Sequence, residues 1–108
     1  MEGYVRVGAS PAVEAGSERV LSVLGRKILL RRDVSGVLQA LELACRHQNG
    51  DLSGAERRDN VVVCPRHGWI YDLTTGACRN EPWAELRRFA VREADGSVWL
   101  SMQPSADR

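Results

Sequence analysis

The chain has 108 residues, a net charge of +1 and 44% hydrophobic residues. That length suits a single domain with a modest core. The near-neutral charge and the few aromatic residues argue against a nucleic-acid-binding protein, which needs a basic surface and stacking platforms. The chain has no run of about 20 apolar residues, which a membrane span would require. Its N-terminus also lacks the features of a secretory signal, so we expect a soluble, cytoplasmic protein.

Short apolar or alternating runs between turn residues predict β-strands along the whole chain. In chain order the predicted strands cover residues 4–7, 19–24, 27–31, 37–44, 60–63, 69–73, 87–93 and 97–102. Asp95-Gly96 and Thr74-Thr75-Gly76 are the clearest turn signals. Residues 34–43 also place apolar side chains at helical spacing, but Ser35-Gly36 interrupts that stretch and favours a turn followed by a strand. The predicted fold class is therefore all-β.

Two short motifs combine a cysteine with a histidine, and each follows a predicted strand. Cys45-Arg46-His47 follows the fourth strand and Cys64-Pro65-Arg66-His67 follows the fifth, with sixteen residues between them. The chain has two histidines in all, and both lie within three residues of a cysteine. Because loops held on a rigid sheet are frequent binding sites, the four side chains can converge on one metal centre. The third cysteine, Cys78, is expected to be a small buried residue.

Two kinds of metal centre take two thiolates and two imidazoles. Zinc binds such a set tetrahedrally, although zinc fingers usually provide a cysteine pair followed by a histidine pair, one of them on a helix. In the Rieske type of [2Fe–2S] centre, histidines replace the cysteines on one of the two irons. Mixed Cys–His pairs on two β loops favour the iron–sulfur cluster, and structural zinc is the alternative.

The residues around both motifs resemble the cluster-binding loops of Rieske proteins. Residues 45–52 are similar to the first loop, 64–76 to the second, and 80–82 to the proline-bearing third loop that covers the cluster. This resemblance implies the Rieske fold, an antiparallel β-sandwich base with a small cluster-binding subdomain at about 44–82. It further implies one domain over residues 1–103 and a flexible tail at 104–108.

The resemblance also implies a role for each matching residue. Cys45 and Cys64 match the thiolate ligands of the buried iron of one [2Fe–2S] cluster, and His47 and His67 match the imidazole ligands of the outer iron. Other matching positions surround or cover the cluster, namely Gly68, Trp69, Tyr71 and Pro82. The arginines inside the two motifs, Arg46 and Arg66, would form a positive rim that steers an acidic partner surface.

Three positions indicate a low reduction potential. Respiratory and photosynthetic Rieske proteins have a pair of bridging cysteines where this chain has Gly50 and Arg66, and a serine where it has Trp69. Tyr71 retains one hydroxyl donor. Because fewer hydrogen bonds to the sulfurs leave the reduced state less stabilised, we expect a reduction potential of about −150 mV.

By this resemblance the protein is a stand-alone Rieske-type ferredoxin and not itself an enzyme. It would carry one electron from an NAD(P)H-dependent flavoprotein reductase to a terminal oxygenase, as a monomer, without nucleic acid or membrane. The chain is too short for an oxygenase catalytic domain, and both histidines are already used, so no 2-His-1-carboxylate iron site remains. Two alternatives stay open: the small subunit of an assimilatory nitrite reductase, and a redox-sensing interaction module.

Overall fold

The computed structural model describes residues 3–9, 14–46, 50–65 and 68–104, with side chains as far as residue 101. Within those residues the chain forms nine β-strands and no helix, and nothing in them could cross a membrane as a helix. The strands are β1 (Tyr4–Ala9), β2 (Glu18–Val23), β3 (Arg26–Arg32), β4 (Leu38–Glu42), β5 (Glu56–Arg58), β6 (Val61–Val63), β7 (Ile70–Asp72), β8 (Arg88–Ala94) and β9 (Ser97–Pro104).

Six strands form the larger sheet, in the order β1-β9-β8-β4-β3-β2, with every neighbouring pair antiparallel. Its two tight hairpins turn at Leu24-Gly25 and Asp95-Gly96, where all four residues have φ between 50° and 81°. Paired positive φ values are typical of the type I′ turn, whose twist matches that of the flanking strands.

The remaining strands form a second antiparallel sheet in the order β5-β6-β7, inserted in the chain between β4 and β8. The outer edge of β7 is covered by the chain that follows it. Tyr71 pairs there with Cys78 in an isolated bridge, and the N–H of Asp72 donates to the carbonyl of Ala77 at 2.8 Å. The small sheet is therefore extended on the side that faces the proline-bearing segment.

Polar contacts fasten the two sheets to each other. Arg57 of β5 forms an ion pair with Glu18 of β2, with a second N–O distance of 3.1 Å. Arg31 of β3 donates to the side-chain oxygen of Asn60 at 3.0 Å. The side chain of Gln39 donates to the carbonyl of Thr74 at 3.2 Å. These bridges fix how the small sheet sits on the large one.

The alternation of side chains along β3 and β4 divides the core into two clusters. Ile28, Leu30 and Ala40 face one cluster, which also contains Phe89, Val98 and Leu100. Leu29 and Leu41 face the other cluster, which continues into the small sheet and its loops. One pair of strands thus supports both sheets.

The all-β prediction is confirmed, and the predicted strands lie within a few residues of eight observed ones. One strand was missed: all three residues of β5 are exposed and charged or polar, so no alternation of apolar residues marks it. Leu24 was predicted to end a strand, which is wrong, because it lies in the turn. β9 reaches Pro104, the first residue of the predicted tail, and residues 105–108 lie outside the described chain.

Candidate metal centre

The first candidate loop leaves the large sheet at the end of β4. The N–H of Cys45 donates to the carbonyl of Gly50 at 2.8 Å, and Ala44 pairs with Asp51 in an isolated bridge. These contacts close a loop of which Cys45 is the first residue. Its side chain is 1% exposed.

The second loop leaves the small sheet at the end of β6. The N–H of Cys64 donates to the carbonyl of Trp69 at 2.8 Å, and the N–H of Gly68 donates back to the carbonyl of Cys64 at 2.9 Å. Gly68 has a φ of 70°, which a side chain at this position would disfavour. The Cys64 side chain is 2% exposed.

The two loops are therefore closed in the same way, since each cysteine N–H bonds the carbonyl five residues further on. Both cysteines belong to one buried cluster. That cluster also contains Leu43, Leu52, Val62, Tyr71, Leu73, Cys78, Ala84 and Leu86. The fold thus brings the two predicted thiolate ligands into one apolar environment, as a site that excludes water requires.

The predicted residues His47, Arg66 and His67 lie outside the part of the chain that the structure describes. Among the described residues alone, no three His, Cys, Asp or Glu side chains form a metal-binding group. The two histidine ligands and the Arg66 part of the rim thus stay predictions from the sequence.

Tyr71 is the polar residue at the centre of the buried cluster, and it is fully buried. Its hydroxyl oxygen lies 3.3 Å from the Cys45 sulfur and accepts the N–H of Arg46 at 2.9 Å. Burial raises the pKa of Tyr71 well above its ordinary value, and the hydrogen bond with Cys45 raises it further. The phenol is therefore protonated at neutral pH and can donate to a thiolate.

The proline-bearing segment is tied to both loops. The side-chain oxygen of Asn80 accepts the N–H of Ile70 at 2.8 Å. Pro82 is exposed in a turn closed by the Ala84 N–H and the Glu81 carbonyl. The guanidinium of Arg46 donates to the carbonyl of Glu85 at 2.7 Å. Arg46, predicted only as part of a charged rim, thus also connects the first loop to this segment.

Trp69 and Trp83 form a contact that the sequence analysis missed. Their ring centroids are 5.9 Å apart and their planes meet at 78°, an edge-to-face geometry. Trp69 is half-buried against the cluster that holds the cysteines, whereas Trp83 is 60% exposed. The signal for Trp83 was its place directly after Pro82, but no pattern predicts a contact between tryptophans fourteen positions apart in the sequence.

Cys78 was predicted to be a small buried residue, and this is confirmed, since it is 6% exposed. It pairs with Tyr71 through the backbone and lies in the same buried cluster as the other two cysteines. Cys78 differs from them in that no histidine follows it closely in the sequence and it lies in a backbone bridge rather than at the start of a closed loop.

The fold brings cysteines from two closed antiparallel-sheet loops into one buried cluster. In metal-binding β proteins, thiolates on such loops hold zinc or an iron–sulfur cluster. Comparison with known proteins decides between the two. The family model of the Rieske [2Fe-2S] domain matches residues 3–90, so the chain belongs to the Rieske family, which binds a [2Fe–2S] cluster.

Relatives and solved structures agree with this family. The oxygenase component of a 3-ketosteroid-9-alpha-monooxygenase from Rhodococcus rhodochrous is 32% identical over 97% of this chain and 29% of that protein. A chain in the reduced complex between oxygenase and ferredoxin in carbazole 1,9a-dioxygenase is 25% identical, with a TM-score of 0.68, over 92% of this chain and 28% of its own.

A further solved complex, of reduced oxygenase and oxidized ferredoxin in carbazole 1,9a-dioxygenase, contains a chain matched over its full length. That match covers 99% of this chain, with a TM-score of 0.70 and 23% identity, and shows a common fold. By contrast, this chain spans less than a third of the length of the first curated relatives that it matches.

The described residues fit the cofactor of the family. Iron–sulfur clusters are held by cysteine thiolates, and two cysteines lie buried in one apolar cluster at the starts of two closed loops. A protonated hydroxyl contacts one of the sulfurs. Two buried thiols, their apolar surroundings and the hydroxyl beside one sulfur fit the cysteine half of the ligand set of such a cluster.

Proposed function

We propose that this protein is a one-electron carrier whose cluster is held by Cys45, His47, Cys64 and His67. The observation that supports this most directly is the matched construction of the two loops, each of which starts with a buried cysteine whose N–H bonds the carbonyl five residues on. The histidines follow these cysteines at two and three positions in the sequence. When bound, the cluster supplies reversible one-electron oxidation and reduction.

The residues around the cysteines would set the conditions for that chemistry. The apolar cluster keeps water from the sulfurs, which strengthens every electrostatic contact there. With Cys45 as a thiolate ligand, which can only accept, the Tyr71 hydroxyl 3.3 Å away would donate to its sulfur and so favour added negative charge. Trp69 and Gly68 close the second loop, and Pro82 and Trp83 lie on the segment that would cover the site.

We further propose that the electron comes from an NAD(P)H-dependent flavoprotein reductase and goes to a terminal oxygenase. The similar proteins support this, because they include oxygenase components and a chain from a complex of an oxygenase with a ferredoxin. Arg46 and Arg66 would present positive charge to the partner beside the cysteines. A low reduction potential of about −150 mV would suit an electron donor to such an oxygenase.

The proposed unit is one non-catalytic domain over residues 1–103 that works as a monomer, with residues 44–82 as the cluster-binding subdomain. The small sheet and both cysteine loops lie within residues 44–82. Both histidines of the chain are needed for the cluster, which leaves none for a mononuclear iron site.

The ligand set is tested by producing the protein under anaerobic conditions and recording EPR spectra after reduction with dithionite. The wild type and Cys78→Ser should give the rhombic signal of mixed Cys/His ligation. Cys45→Ser and Cys64→Ser should lose it, and His47→Cys or His67→Cys should change its shape. A cluster that survives Cys64→Ser but not Cys78→Ser would overturn the assignment, as would colourless protein that contains zinc.

The carrier role is tested separately with the purified cluster-loaded protein. A flavoprotein reductase and NAD(P)H should reduce it catalytically, and the reduced protein should support single turnovers of a terminal oxygenase from the same organism. Stable comigration with a sirohaem protein, or redox-dependent partner binding without turnover, would instead favour the nitrite reductase subunit or the redox sensor.

A further inference from the structure

Leu24 occupies a position that leucine disfavours. It is the first central residue of the β2–β3 hairpin turn, with a φ of 50°, and Gly25 follows with a φ of 81°. Among the described residues the other non-glycine residues with positive φ are Asp59 and Asp95, and aspartate tolerates this conformation. The Asp95-Gly96 turn has the same geometry with a preferred residue pair.

Leu24 also gains no burial from this position. Its side chain is 75% exposed. Single exposed apolar residues are normal on protein surfaces and need no explanation by themselves. Here, however, exposure and an unfavourable backbone conformation occur in one residue. Because Asn or Asp would satisfy the turn and the solvent better, leucine at this position is not explained by folding.

The hairpin tip lies at the end of the large sheet from which the first cysteine loop leaves. β3 starts where the antiparallel β4 ends, and the N–H of Leu43 donates to the carbonyl of Lys27 at 2.9 Å. Cys45 is two residues further on. The ion pair of Arg26 with Glu42, at 3.2 Å, fastens the base of the tip to the same strand end.

A cavity of about 330 Å³ separates the tip from the first loop. It is lined by residues 25–27, residues 42–44 and Asp51. Its rim carries charge of both signs, with the exposed Lys27 on the hairpin side and the exposed Asp51 on the loop side. Protein–protein interfaces commonly have an apolar centre and a polar rim, and an exposed leucine beside charged residues matches that arrangement.

We propose that Leu24 is an apolar anchor for the terminal oxygenase, inserted into an apolar pocket of that partner while the partner covers the adjacent cavity. The proposal rests on the proposed function, because an electron acceptor must approach the cysteine loops and the first of these loops leaves the large sheet at the end where the tip lies. A solved complex of reduced oxygenase and oxidized ferredoxin contains a chain that this protein matches over its full length, which favours an oxygenase as the occupant.

The opposite end of the same strand provides the matched control. Val34 is 89% exposed in the turn that joins β3 to β4, at the other end of β3 from Leu24. A change from an exposed apolar residue to asparagine is chemically similar at both positions. The two positions differ in their distance along the strand from the cysteine loop and in backbone strain, since Val34 is not among the residues with positive φ.

The test measures oxygenase binding by calorimetry and thermal unfolding of the cluster-loaded protein. Each terminal oxygenase of the source organism is titrated with the wild type, Leu24→Asn, Leu24→Met and Val34→Asn. For the oxygenase that binds the wild type, Leu24→Asn should weaken Kd by about tenfold or more, whereas Leu24→Met and Val34→Asn should stay within about twofold. Only Leu24→Asn should also raise Tm, by about 4 °C.

Opposite signs for stability and affinity are expected of a contact residue and not of a structural one. Unchanged Kd in Leu24→Asn would overturn the proposal, as would equal weakening by Val34→Asn. An effect of Leu24→Asn confined to reductase binding or to self-association would also overturn it, because the occupant would be different. If no oxygenase binds the wild type, the proposed function fails. If an oxygenase binds the wild type and Leu24→Asn equally well, only the role of Leu24 fails.

Discussion

The hydroxyl oxygen of Tyr71 lies 3.3 Å from the sulfur of Cys45. The same oxygen accepts the N–H of Arg46 at 2.9 Å, so one fully buried phenol joins β7 to the first cysteine loop. The loop is therefore held by the side chain that also contacts the proposed ligand sulfur. Position and electronic environment of Cys45 depend on the same residue.

Replacement of Tyr71 by phenylalanine should change both properties. Loss of the donor to the sulfur should lower the reduction potential by about 60 mV, which is a tenfold change in a one-electron equilibrium. The N–H of Arg46 loses its partner, which should cost about 1–3 kcal/mol of unfolding free energy. Redox titration monitored by EPR and thermal unfolding measure the two effects. A potential unchanged within error, with stability reduced, would assign Tyr71 a purely structural role.

The two motif arginines should behave differently when replaced. Arg46→Gln removes the hydrogen bond to the Glu85 carbonyl and should lower unfolding free energy by about 1 kcal/mol. Arg66→Gln, which the sequence predicts to be a rim residue only, should leave stability unchanged. Both should slow reduction by the partner at low ionic strength and lose that effect at high salt.

Stopped-flow reduction at two salt concentrations and thermal unfolding of each variant provide the measurements. If neither variant alters the rate or its salt dependence, the charged rim has no part in partner association, whatever the stability of Arg46→Gln.

The contact between Trp69 and Trp83 predicts a protective role for the exposed ring. Trp83→Ala should uncover the half-buried Trp69, shift its fluorescence to longer wavelength and speed cluster loss in air. The stability cost should be small, about 1 kcal/mol, which is typical of one aromatic pair.

Trp99→Ala serves as the matched control, because Trp99 belongs to β9 of the large sheet and its buried ring N–H has no hydrogen-bond partner among the described residues. Its replacement should leave the rate of cluster loss unchanged. Equal rates of loss in both variants would show that a general loss of aromatic packing, and not the cover over the second loop, controls cluster lifetime.

Asp33 makes the β3–β4 turn sensitive to acid. A hydrogen bond from the Ser35 hydroxyl, and then one from the Val37 N–H, lower the pKa of Asp33 below its ordinary value of 3.8. Because this pKa is lower in the folded state, the ionised carboxylate stabilises the folded protein at pH values above its ordinary pKa. That stability is lost as the pH falls through the folded value.

Thermal unfolding measured from about pH 6 down to pH 2 should therefore show the stability of the wild type approaching that of Asp33→Asn as the pH falls. Asp33→Asn should be the less stable protein at neutral pH and should lose less stability on acidification. Parallel curves at all pH values would contradict the assigned role of the carboxylate.

Sequence reasoning succeeded where local chemistry determines the structure. Gly76 and Gly96 marked turns that do have positive φ, and alternating apolar residues marked the strands that cover the core. The family was identified from the two Cys–His motifs and the segments that follow them. In each case, the signal lies within a few neighbouring residues.

Contacts between distant residues were not predictable in this way. β5 has no apolar residue and is a strand only because β6 pairs with it. The bond from Arg46 to Glu85 joins residues thirty-nine positions apart, and its charge suggested only an exposed rim. Leu24 was assigned to a strand because it is apolar, whereas it forms the two-residue hairpin turn together with Gly25. Tertiary structure decided all three.

The pairing of β1 with β9 determines how the order of the strands along the chain can be changed without changing the fold. Tyr4 lies directly across the ladder from Ser101, so their Cα atoms are roughly 5 Å apart. The Asp95-Gly96 turn lies at the far end of β8 from the β4 pairing that leads to Cys45. A circular permutant that joins the first and last strands by a short linker and opens at this turn would keep every strand neighbour. The new termini would lie at the end of β8 opposite the one that leads to Cys45, so that a redox partner could be tethered there without crossing the proposed electron-transfer surface.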